Sequence, residues 1–231
     1  MLAIHNLTAG YDKSRVLQGI SLQVAAGEVV ALLGRNGSGR STLAKAIMGL
    51  VAAQGSIRWR GRELLGLKTF EIARAGLGYV PERREIFPDL TVAHNLQLGQ
   101  KPGAPKGGWS QADAFALFPQ LQQRAGVNAG VLSGGEQQML ALSRTLMGNP
   151  ELIIIDEPTE GLAPQLVAQV GAFLTTLKAR GVAVLLIEQK LTIALDVSDR
   201  CLVMGQGRVV FDGTPAALQA NAAVQREWLA V

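Results

Sequence analysis

The chain has 231 residues, 48% of them hydrophobic and 17% charged, with a formal net charge of +4. That is enough to bury a substantial core as one large domain or two small ones. No apolar run approaches the roughly 18 residues that cross a bilayer, and MLAIHNLTAG lacks the parts of a signal peptide, so any membrane role must come through a partner.

In chain order, Val16 to Val24 and Ser56 to Arg60 alternate and are broken by glycine, as antiparallel strands of a small β-subdomain would be. Between them Val29 to Leu33 is a short apolar, β-branched run, the pattern of a buried strand in a mostly parallel sheet. Leu43, Ile47 and Leu50 after it keep a helical period. The strand and helix are joined by GRNGSGRST, residues 34 to 42, which matches the phosphate-binding pattern G-x-x-x-x-G-K-[ST] at every position but one. Gly34, Gly37 and Gly39 let the backbone curl so that successive N–H groups and the helix N-terminus point at phosphate oxygens. Ser41 is placed to ligate Mg²⁺ and Thr42 to support the phosphates; a plain tight turn would account for the glycines alone. The departing position is Arg40. It keeps the positive charge but replaces a compact ammonium with a longer planar fork, so binding should survive better than catalysis.

Arg58, Arg60 and Arg62, the densest basic group in an otherwise dispersed set, alternate as one face of a strand would. From about 85 to 130 the character is helical, interrupted by KPGAPKGGWS, which reads as an exposed loop. In LSGGEQQML, residues 132 to 140, Ser133 and Glu136 have the spacing of a capping box. LIIIDEPTEGLAP, from 152, is a buried strand ending in two acids. Alternation makes Asp156 and Glu157 diverge, so that Asp156 can hold a metal while Glu157 faces an attacking water as general base; taken alone, the pair is equally a solvated turn or a cap. A helix through Leu166, Val170, Phe173 and Leu177 and a buried strand, Val182 to Ile187, complete an α/β pattern. Cys201, the one cysteine, has no internal disulfide partner and reads as apolar filler, and neither histidine has metal-ligand spacing.

LSGGEQQML resembles the signature of ABC-type ATPases, and the other landmarks of that family follow in order over the whole chain. The resemblance implies an α/β fold, a P-loop NTPase core with an antiparallel β-subdomain and an inserted helical subdomain. It implies one ABC ATPase domain over 1–231, with 1–84 and 131–231 as core and β-subdomain and 85–130 as helical subdomain. The cofactors implied are ATP and Mg²⁺. Residues bearing on ATP would be Tyr11, stacked on adenine (strand core being its other reading), Gly34, Arg35, Asn36, Gly37, Ser38, Gly39, Arg40, Ser41 and Thr42, with Ser133, Gly134 and Gly135 acting across an interface. Ser41 and Asp156 would serve the metal. Glu157, Glu82 at the family's switch position and Gln189 at its late-histidine position would serve catalysis. Glu82, Gln189 and GLAP at 161 to 164 resemble the branch importing branched-chain and other neutral amino acids, urea or short amides, whereas Arg83, His94 and Lys190 depart from the usual pattern.

The partners implied are an identical or homologous ATPase subunit, two transmembrane permease subunits and, indirectly, an extracytoplasmic solute-binding protein, at the cytoplasmic face of the membrane and with no nucleic acid. Two rivals remain at this level. One is a soluble ABC ATPase acting on DNA or ribosomes, against which stand the absence of a second ATP-binding half and of a long heptad insertion. The other is a subunit that binds nucleotide but, through Arg40, turns over slowly or not at all.

Overall fold

The computed structural model describes residues 1–12, 14–101, 103 and 107–229. Its strands are β1 (Leu2–Tyr11), β2 (Ser14–Val24), β3 (Val29–Gly34), β4 (Ala53–Trp59), β5 (Arg62–Glu63), β6 (Leu77–Val80), β7 (Leu152–Asp156), β8 (Ala183–Glu188), β9 (Arg200–Gly205) and β10 (Arg208–Gly213). They form an antiparallel sheet ordered β2-β1-β4-β5 and a second sheet ordered β10-β9-β3-β8-β7-β6, parallel except at β10. The helices are α1 (Arg40–Ile47), α2 (Thr69–Arg74), α3 (Val92–Gly99), α4 (Gln111–Leu117), α5 (Pro119–Gln123), α6 (Gly134–Leu146), α7 (Pro164–Ala179), α8 (Leu191–Val197) and α9 (Pro215–Ala220). None of them is long and apolar enough to cross a membrane.

The three continuous apolar runs are β3, β7 and β8, buried along their whole length. Their lack of alternation follows from having both faces covered. Ile154 and Leu185 point into a core shared with α1 and the antiparallel sheet. Ile153, Ile155, Val184 and Leu186 point the other way, into a core built with α3 to α7, where the Phe118 and Phe173 rings meet at 5.7 Å. The parallel sheet is therefore the middle of three layers.

Several expectations need correction. Arg58, Arg60 and Arg62 do not share a strand face: β4 ends at Trp59, Arg60 turns with φ 52, and Arg62 lies in the returning β5. Leu50 is outside α1 and half-exposed, because Gly49 at φ 67 ends the helix in the left-handed region. The strand β1 goes unrecognised in the sequence because its burial period slips. Leu2 and Ile4 are buried, then Leu7 and Ala9, with a register shift between Ile4 and Leu7 where Asn6 has φ 46. The ends of the 101–110 stretch are tied down: Lys101 Nζ donates to the Ala73 carbonyl at 2.6 Å, and the Trp109 ring lies 3.9 Å under the Arg180 guanidinium. Pro102 and residues 104–106 of that stretch lie outside the described residues.

Buried Asn95 of α3 organises the chain that leaves β6. Its Oδ1 accepts from Phe87 N at 2.9 Å, and its Nδ2 donates to the carbonyls of Phe87 and Thr91 at 3.0 Å. Asn95→Ala leaves the Phe87 N–H without its partner, while the Phe87 and Thr91 carbonyls keep their backbone donors Leu90 N and residue 95 N, at a cost of about 1–3 kcal/mol. The expected result is a lower urea midpoint at unchanged m-value; an unchanged midpoint would contradict it.

Candidate active site

Parallel register fixes the geometry of the site. Leu33 pairs with Glu188 across β3 and β8, and Asp156 with Ile187 across β7 and β8, so three strands end along one edge. In open parallel sheets this carboxyl edge is where ligands bind. From it emerge the loop 34–42, the acids 156 and 157, and the pair Glu188 and Gln189.

The loop closes on itself through Ser38 N to the Arg35 carbonyl at 3.1 Å and runs into α1 at Gly39. Gly39 has φ 104, a left-handed conformation that favours glycine, and a Cβ there would also crowd the Leu17 side chain at 2.9 Å from Cδ2. The resulting cleft of about 420 Å³ is lined by Val16, Asn36 to Thr42, Glu82, Glu157 and Glu160. Ser38 Oγ is buried without a protein partner, an orphan donor that suits a phosphate oxygen. Tyr11 is 44% exposed at the end of β1, which excludes a core role and leaves its ring open to a base.

Arg40 is 5% exposed and spends its fork inside the protein. Nη1 donates to the Glu188 carbonyl at 2.7 Å; Nη2 donates to Glu157 Oε1 at 2.6 Å and to Asn36 Oδ1 at 3.2 Å. The residue expected to grip phosphate thus holds the residue expected to activate water. Burial raises the Glu157 pKa, and Arg40 opposes that rise. Glu157 diverges from Asp156 for a reason other than strand pleat: it has φ 47, just beyond β7, and its N–H bonds the Ile187 carbonyl at 2.9 Å. Asp156 Oδ1 accepts from Ser41 Oγ at 3.2 Å. Burial pushes the Asp156 carboxyl up to about 6, with the Ser41 hydrogen bond pulling the other way.

Among the expected site residues, Gly34 is buried at the end of β3, and Arg35 lines a separate hollow beside Trp228. Gln189 is exposed beyond β8 and does not line the cleft. Ser133, Gly134 and Gly135 open α6 with a capping box, Glu136 N to Ser133 Oγ at 3.3 Å and Ser133 N to Glu136 Oε2 at 2.8 Å. They form no part of the cleft wall. Two contributors went unrecognised in the sequence. Glu160 lines the cleft. Buried Glu188 accepts from Thr159 Oγ1 at 2.7 Å and Gln189 N at 3.2 Å, bracing both neighbouring loops. An acid closing a buried apolar run, as at Asp156, was the signal that could have found Glu188.

Arg40→Lys should hydrolyse nucleotide roughly tenfold to a hundredfold faster in kcat than the native chain, because one ammonium cannot keep all three of these contacts while reaching phosphate. A phosphate-release assay on the purified protein checks this, and a variant no faster than the native chain would overturn it.

Residues 17–160 match the family model described as ABC transporter. The high-affinity branched-chain amino acid transport ATP-binding protein BraG of Pseudomonas aeruginosa is 42% identical, with 99% of each chain covered. The lipopolysaccharide export system ATP-binding protein LptB of Haemophilus influenzae is 32% identical, covering 99% of this chain and 97% of its own. Among solved structures, a nucleotide-free ATP-binding cassette from an ABC transporter superposes with a TM-score of 0.84 at 27% identity, covering 100% of this chain and 98% of its own. The likeness in sequence and in fold runs along the full chain, and the protein belongs to the ABC transporter family, as an ATP-binding cassette that hydrolyses ATP to power transport.

Proposed function

We propose that the chain is the ATPase subunit of an importer for branched-chain or other neutral amino acids. The observation that carries this reading is the 42% identity to BraG over 99% of both chains. A probable branched-chain amino acid transport ATP-binding protein, LivF of Archaeoglobus fulgidus, at 34% identity and 93% coverage of this chain, supports it. A urea or short-amide importer of the same branch is the alternative.

The residues divide the work as follows. Backbone N–H groups of 34–42 and the Ser38 hydroxyl receive phosphate oxygens. Ser41 and Asp156 are hard oxygen donors within 3.2 Å of each other, a set that fits Mg²⁺, which takes few carboxylates and retains water and phosphate ligands. When bound, Mg²⁺ neutralises phosphate charge. Arg40 releases Glu157 as it turns to the phosphates. A carboxylate oxygen of Glu157 then accepts a proton from the water whose oxygen bonds to the γ-phosphorus, as the bond from that phosphorus to the β–γ bridging oxygen breaks and ADP leaves with the electron pair; burial strengthens Glu157 as a base. Glu82 lies on the cleft wall, where it meets the γ-phosphate, and Gln189 approaches from the end of β8. Because Ser133 to Gly135 are absent from the cleft of their own protomer, they serve the nucleotide of a second copy or of a homologous subunit.

A groove of about 680 Å³, separate from the cleft, lies between α2, α3 and the β6–Phe87 segment. Leu50, Phe87 and Leu98 expose apolar surface on it, while Lys45, Lys101 and Arg144 outnumber Glu85. This suits an apolar helix carrying acidic groups, supplied by a permease subunit at the cytoplasmic face of the membrane.

Two outcomes test these readings. Cells lacking the chain should lose high-affinity uptake of leucine, isoleucine and valine, and Glu157→Gln should not restore it; loss of urea uptake alone selects the alternative, and a defect in lipopolysaccharide export overturns the importer reading. Leu98→Asp should abolish co-purification with the permease while the ATPase rate of the isolated chain stays within about twofold. Intact co-purification would remove the groove from the interface.

A further inference from the structure

Arg84 follows Glu82 by two residues but does not line the cleft. Its Nη2 donates to the Glu160 carbonyl at 3.0 Å. Glu160 is itself a cleft residue, and its N–H closes a turn onto the Glu157 carbonyl at 3.2 Å. The other end of the same guanidinium rests on Gly134, where any Cβ would overlap Nη1. Farther along α6, Arg144 donates to the Glu85 carbonyl and lies 4.9 Å from the Phe87 ring centroid. Segment 84–87 is thus joined to both ends of the helix that the SGG turn opens, and through Arg84 also to the loop that follows Glu157.

We propose that Arg84 is a positioning residue that makes the two nucleotide sites of a pair respond to one another. It ties Glu160, at the cleft of its own protomer, to Gly134, on the surface that closes over the partner's nucleotide. The proposal rests on the paired arrangement given above and deepens it. A guanidinium suits this task because its donors lie in one rigid plane: fixing Nη2 on a carbonyl fixes where Nη1 stands. Displacement of Glu82 or Glu160 by a nucleotide therefore shifts the fork against Gly134. Coupling between sites requires an element that both sites bias, and this contact is one. A lysine, with one freely rotating ammonium, keeps the charge and loses the geometry.

The experiment measures ATPase rate against Mg-ATP concentration for the native chain, Arg84→Ala and Arg84→Lys, and Mg-ATP-driven pairing by sedimentation in the Glu157→Gln background. The native chain should show a Hill coefficient between about 1 and 2, falling to about 1 in both variants. Mg-ADP affinity of the protomer, read by calorimetry, should stay within about twofold, because Arg84 lies outside the cleft; a larger loss overturns the proposal in favour of a direct binding role. A Hill coefficient unchanged in Arg84→Ala, or a native value near 1 despite pairing, overturns the coupling and leaves the paired reading standing. Failure of Glu157→Gln to pair with Mg-ATP overturns both. Should Arg84→Ala fail to fold, Arg84→Lys is read by the same criteria.

Discussion

Everything at the site depends on the parallel register of β3, β8 and β7. With Leu33 opposite Glu188 and Asp156 opposite Ile187, three strands end together and deliver the glycine-rich loop, the acids Asp156 and Glu157 and the bracing Glu188 to one edge. A slip of one residue in any of these strands would turn its terminal side chain to the opposite face of the sheet. The apolar cores on both faces hold the register, since every residue of the three strands is buried. The packing that stabilises the fold and the alignment that creates the site are the same contacts.

Within that frame Arg40 sets the electrostatics. A buried cation requires partners, and this one takes Glu157, Asn36 and the Glu188 carbonyl, drawing loop 34–42 and the strand ends of β7 and β8 together. In the mechanism proposed for this site, that ion pair must open before Glu157 can act as a base. A lysine would leave Glu157 less firmly held, so the substitution bears on rate more than on fold.

The outward surfaces follow the same economy. The groove and the SGG turn of α6 both lie apart from the cleft, yet segment 82–87 touches all three: Glu82 on the cleft wall, Arg84 on Gly134, Glu85 and Phe87 in the groove. A short strand, β6, delivers this segment, and Asn95 fixes it on α3. Among the described residues this segment reaches the cleft, the start of α6 and the groove, the three surfaces to which the proposed function assigns nucleotide, partner cassette and membrane subunit.

The sequence by itself determined the strands β3, β7 and β8, the phosphate loop with its arginine, the paired acids and the capping box at Ser133, because each is written in local chemistry: burial without alternation, glycines at fixed spacing, a serine three residues before a glutamate. It could not show β1, whose bulge breaks the period; the split of Arg58, Arg60 and Arg62 across a hairpin was signalled only by Gly61, which shares the turn with Arg60 at positive φ and was outweighed by the alternation of the arginines. Only the tertiary structure decided that Arg40 holds Glu157, that Glu188 braces two loops and that Arg84 joins Glu160 to Gly134. Those contacts link residues 117, 29 and 76 positions apart, and in each case it is long-range strand pairing and helix packing, rather than neighbouring residues, that brings the side chains within reach.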